Sequence, residues 1–96
     1  MSEVLSDEQV EAELEKLDVQ WSAIPGQGLV RVFETGSFGE GLTLVNQIAS
    51  VAEKQNHHPE LVLRVNEVEV TTMTHDVGGV TPKDIELARA IDQLAV

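Results

Sequence analysis

The 96-residue chain contains no cysteine and no tyrosine, and only one tryptophan and two phenylalanines. Without cysteine, disulfide staples, thiolate metal sites and a thiol nucleophile are all excluded. With aromatics at 3% and apolar residues at 42%, the core must be built from Leu, Val, Ile and Ala. Bases are scarce as well. Six Lys and Arg stand against seventeen Asp and Glu, a formal net charge of −11. That charge repels nucleic-acid phosphate and argues against direct nucleic-acid binding. No apolar run approaches the roughly 20 residues that a membrane span requires, and the acidic start has none of the basic-then-apolar layout of a signal peptide. A cytoplasmic location is therefore expected. The length predicts one domain, spanning residues 1–96.

What is present reads as helices alternating with hairpins. Ser6 and Gln9 form a capping box, Leu5 can staple to Val10, and Val10, Leu14 and Leu17 make one apolar stripe. This predicts a first helix fading near Asp18. Its surroundings are acidic, with Glu3, Asp7, Glu8, Glu11, Glu13, Glu15 and Asp18 against Lys16 alone. A solvated helix face is the bland explanation, and a docking face for a basic partner the sharper one. Strands are expected over residues 19–24 and 29–34, joined by Pro25-Gly26-Gln27-Gly28. Leu29, Arg31 and Phe33 should then share one face and Val30 and Val32 the other. Ser37 and Glu40 open a second helix, with Leu42, Val45, Ile48, Ala49 and Ala52 as its apolar face, running to about Asn56 before Pro59. A second hairpin follows over 61–65 and 68–74, rich in β-branched residues, with Asn66-Glu67 at the turn. Thr81 caps a third helix that has Pro82 at its first position, Asp84 at its third, and Ile85, Ala88, Ile91 and Leu94 along one face. The sum is an α+β fold of order α-ββ-α-ββ-α, a four-stranded antiparallel sheet with helices packed on one face.

All three histidines, His57, His58 and His75, fall within 19 residues of one another, in E-K-Q-N-H-H-P and T-H-D-V-G-G-V-T-P-K-D. Glu53 and Asp84 bracket them. Histidine can both give and take a proton near neutrality, so the cluster is a candidate for proton transfer. Each member also has an ordinary explanation. Glu53 can be an exposed helix charge, on the same face as His57 if the last turn stays helical. The adjacent histidines can end a helix at its negative pole, and Asp84 can simply cap one. Three histidines can bind zinc, yet adjacent side chains point apart and the spacing matches no zinc motif, so no metal is expected. Ser37 and Ser50 suggest no nucleophile, and Gly36, Gly39 and Gly41 do not have the spacing of a phosphate or dinucleotide loop.

Together these residues resemble the pterin-4a-carbinolamine dehydratases. The matching pattern is Glu53-x-x-x-His57-His58-Pro59, then His75, then Asp84, within T-H-D-x-G-G-V-T-x-x-D. The following L-A-x-x-I-D-x-L helix matches too, as does Trp21 leading a hairpin into F-E-x-x-S-F. The resemblance implies the α-ββ-α-ββ-α fold and a homodimer or homotetramer. It implies a hydro-lyase that dehydrates 4a-hydroxytetrahydropterin to quinonoid dihydropterin in pterin recycling, with no cofactor. It implies His57 and His75 as acid and base, His58 positioning the substrate, Glu53 and Asp84 orienting imidazoles, and His58, Leu61, Thr74 and Asp76 around the pterin. Leu61 and Val65 stand where the family carries aromatic rings, and Asn56 where some members have an acid. Some dehydratase-like relatives act as binding, assembly or dimerisation factors for other proteins. That role is the alternative, with the acidic first helix as its surface.

Overall fold

A computed structural model describes residues 3–94. In chain order it forms α1 (Asp7–Leu14), β1 (Ser22–Ile24), β2 (Gly28–Glu34), α2 (Phe38–Gln55), β3 (Glu60–Leu63), β4 (Glu67–Thr72) and α3 (Pro82–Asp92). This is the expected α-ββ-α-ββ-α order. The four strands make one antiparallel sheet in the order β1-β2-β4-β3, and the helices pack against it.

Register explains which side chains meet the helices. Successive side chains of a strand point to opposite faces, so pairing fixes two rows at once. Leu29 lies opposite Thr72, Arg31 opposite Val70, and Phe33 opposite Val68. On the other side of β4, Leu61 faces Val70 and Leu63 faces Val68. These rows, with Ile48, Ala52, Leu87, Ala88 and Ile91 from the helices, form the aliphatic core. Each large side chain buried there contributes about 1.5–3 kcal/mol over leaving it in water. On the opposite face Val32 and Val62 remain 37% exposed.

Three expectations need adjustment. The buried face of α2 is Gly41, Leu44, Ile48 and Ala52, with Val45 and Val51 at its border. Leu42 and Ala49, expected inside, face solvent. The helix is rotated because it approaches β3 at Gly41, where a Cβ would lie 2.7 Å from Leu63 Cδ1. The first strand is shorter than residues 19–24. Trp21 N–H bonds to the Asp18 carbonyl and Val19 is 93% exposed, so a turn occupies that stretch. α1 likewise ends at Leu14, and Leu17 reaches the core from the turn that follows.

A polar clasp closes one end of the core. Asp92, near the end of α3, accepts the Trp21 indole N–H at 2.7 Å and Arg31 Nη1 at 2.6 Å through Oδ1, and the Asp18 N–H at 2.9 Å through Oδ2. Arg31 also donates to Gln20 at 3.0 Å, and its guanidinium lies 4.0 Å over the Phe33 ring. A buried arginine is tolerated here because its charge is paired and its plane is stacked.

Candidate active site

The site begins where α2 stops. Asn56 has φ 52°, the left-handed conformation that asparagine tolerates better than most residues. The His57 N–H then bonds back to the Ala52 carbonyl at 3.1 Å, closing the helix end. This reversal takes His57 off the helical track, so Glu53 does not pair with it as a straight last turn would require. Glu53 Oε2 instead lies 2.5 Å from His58 Nε2, an exposed contact. His57 turns inward, with its side chain 12% exposed, and its Nε2 reaches Asp84 Oδ1 at 2.6 Å.

Asp84 is fully buried and collects donors on both oxygens. Oδ1 receives Thr72 Oγ1 at 2.5 Å and His57 Nε2 at 2.6 Å. Oδ2 receives Thr74 Oγ1 at 2.7 Å and the Thr81 N–H at 2.9 Å. Two donors per oxygen suit a carboxylate, which only accepts. The helix-capping role and the histidine-facing role therefore belong to one side chain, divided between its two oxygens. Proton directions follow from counting. The single Thr74 hydroxyl proton goes to Asp84, so the Thr81 hydroxyl, 2.7 Å away, must donate to Thr74. Thr81 Oγ1 in turn accepts the Lys83 N–H at 3.2 Å.

One imidazole is thereby defined. With Nε2–H pointing at Asp84, neutral His57 keeps its lone pair on Nδ1 and acts as an acceptor there. His58, 56% exposed, is held by a partner that is itself 74% exposed. His75 and Asp76 are exposed at the start of the turn that follows Thr74. That turn is closed by Thr74 N–H to Gly79 and by Gly78 N–H to the Thr74 and His75 carbonyls. The structure thus joins His57 to Asp84 and His58 to Glu53, and places His75 one residue from Thr74, a ligand of the Asp84 carboxylate. Thr74 is 8% exposed, with its hydroxyl committed to Asp84 and Thr81. Leu61 packs at the border of the core, and Val65 is 76% exposed. Surface cavities of about 640 and 550 Å³ lie elsewhere and are lined by none of the histidines. Among the described residues, no three His, Asp or Glu side chains gather in a geometry fit for a metal ion. Sequence spacing assigns Thr72 no place in the site. Its one signal is alternation, since it continues the inward row Val68, Val70 with a hydroxyl.

The model of the family described as "Pterin 4 alpha carbinolamine dehydratase" matches residues 3–94. The chain belongs to that family. Relatives provisionally named as pterin-4-alpha-carbinolamine dehydratases match over most of their length. One from Natronomonas pharaonis is 41% identical over 99% of this chain and 99% of its own. One from Thermosynechococcus vestitus is 42% identical over 100% of this chain and 99% of its own. A crystal structure from Brucella melitensis, described as a transcriptional coactivator/pterin dehydratase, superposes with a TM-score of 0.88. It is 34% identical and covers 98% of this chain and 100% of its own. Glu53, His57, His58, Pro59, His75 and Asp84 all lie within the matched residues.

Proposed function

We propose that the protein dehydrates the 4a-carbinolamine of a tetrahydropterin, with histidines as general acid and base. The observation that carries this reading is the His57–Asp84 contact, in which a fully buried carboxylate holds one imidazole by Nε2. The chemistry needs two proton movements. The proton on N5 leaves as the C4a–N5 double bond forms, and the 4a-hydroxyl departs as water once protonated. His57 takes the N5 proton through Nδ1, and His75 supplies the proton to the hydroxyl. His58, steadied by Glu53, positions the substrate, with Leu61 and Asp76 beside it. Positioned acid–base groups of this kind contribute about 10²–10⁴-fold each. No organic cofactor enters these steps. The product, a quinonoid dihydropterin, suits a place in pterin recycling. Stopped-flow absorbance with chemically generated 4a-hydroxytetrahydropterin tests the reading. Loss of the carbinolamine faster than in buffer is expected, and an unchanged rate with folded protein overturns it.

The second reading is a binding factor for another protein. It is favoured by the coactivator description of the Brucella melitensis structure and by the acidic α1 face, where Asp7, Glu8 and Glu11 are exposed. Affinity capture with this face intact or charge-reversed separates the two readings. Identical partners for both forms remove the face as a docking surface.

A further inference from the structure

Proton transfer at His57 Nδ1 requires that the other ring nitrogen stay where it is. Asp84 alone does not ensure this, because a carboxylate offers about four lone-pair sites on its two oxygens. On Oδ2 both are taken, by Thr74 and by the Thr81 N–H. On Oδ1 the partners are His57 and Thr72. Thr72 is 0% exposed, on the inward row of β4, where its hydroxyl can reach neither solvent nor a substrate. Its position is set from behind as well. Gly28, with φ 103°, lies so close that a Cβ there would sit 2.3 Å from the Thr72 carbonyl oxygen.

We infer that Thr72 is a positioning residue: its hydroxyl occupies one lone pair of Asp84 Oδ1 and thereby fixes the direction from which His57 Nε2–H approaches, and with it the orientation of the ring. With that lone pair filled, Oδ1 has one direction left for the imidazole, and the ring is held with Nε2 protonated and Nδ1 open. With the hydroxyl removed, Oδ1 accepts from a wider range of directions and the ring loses its single registration. Loss of that registration is expected to remove part of the about 10²–10⁴-fold that a positioned acid–base group contributes. The inference rests on His57 being the base, but its primary test does not require turnover.

The test is ¹⁵N NMR of the histidine rings in the full-length protein, beside Thr72→Val and Thr72→Ser. All three forms are expected to show the Nε2–H tautomer of His57, with the Nε2–H resonance sharp and in one position for wild type and T72S, and shifted or broadened in T72V. T72V should also lose about tenfold in kcat with KM within about twofold, a fraction of the acid–base contribution, and T72S should recover most of that loss. An unchanged His57 Nε2–H resonance in T72V overturns the inference. A second measurement needs no variant. The Thr72 hydroxyl proton of the wild type should exchange slowly and show an NOE to the His57 Hε2 proton, since both point at one oxygen. Absence of that NOE also overturns it. If the resonance shifts in T72V but no dehydratase activity is found, the functional reading fails and the Thr72 assignment stands.

Discussion

At the scale of single residues, the contrast between the two histidine–carboxylate contacts decides what each is worth. Glu53 and His58 meet in solvent, where an ion pair contributes about 0–1 kcal/mol. Asp84 is buried with two donors on each oxygen, and an amide in its place keeps an acceptor for only one of the two pairs. Asp84→Asn places an NH₂ group against donors, so it should cost about 1–3 kcal/mol or more in urea denaturation. Glu53→Gln should stay within about 0.5 kcal/mol of wild type in the same measurement. Activity divides differently. His57→Ala and His75→Ala should each lower kcat by about 10²–10⁴-fold. An unchanged rate for either variant would remove that histidine from proton transfer.

At the scale of elements, the site depends on how α2 ends and how β2 begins. The left-handed Asn56 is the hinge that separates His57 from Glu53. Asn56→Gly keeps that conformation without a Cβ penalty and should retain activity within about twofold. Asn56→Ala should cost about 1 kcal/mol, and its loss of activity should exceed that of the glycine variant. Gly28→Ala meets the Thr72 carbonyl with φ already positive, so a loss above about 3 kcal/mol is expected in thermal denaturation. Much of this architecture is legible in the sequence. The capping residues Ser6, Ser37 and Thr81 mark the three helix starts, and each accepts its N-terminal N–H in the structure. Strand alternation assigns Leu29, Arg31 and Phe33 to one face. What escapes is geometry that residue types do not encode. The expected face of α2 is displaced because apolar count favours Leu42 and Ala49, whereas packing favours the row beginning at Gly41, where absence of a side chain allows close approach. The histidine partners escape for a similar reason. A one-residue reversal at Asn56 exchanges which imidazole meets which carboxylate, and sequence spacing does not register it.

At the scale of the whole molecule, the excess of negative charge is what no local contact balances. A net charge of −11 on 96 residues opposes compaction through self-repulsion. Raising ionic strength from about 10 mM to about 150 mM shortens the Debye length from roughly 30 to roughly 8 Å. The denaturation midpoint should therefore rise with salt, and a flat or falling midpoint would show that local pairs outweigh the net charge. The Arg31–Asp92 clasp should resist this screening, since the Arg31 side chain is 9% exposed.

The clasp also supplies an optical probe. Trp21 is the only tryptophan, and there is no tyrosine to blur its emission. It is 4% exposed, and its indole N–H is held by Asp92 of α3 beside Arg31 of β2. Its fluorescence therefore reports the joining of the chain's early turn, its second strand and its last helix, while the histidines hang on a different set of hydrogen bonds. A shift of tryptophan emission to the red that coincides with loss of helical circular dichroism marks cooperative unfolding. A variant at Asp84 or Thr72 that loses activity with the emission of Trp21 unchanged has been altered at the imidazoles, with the clasp still closed.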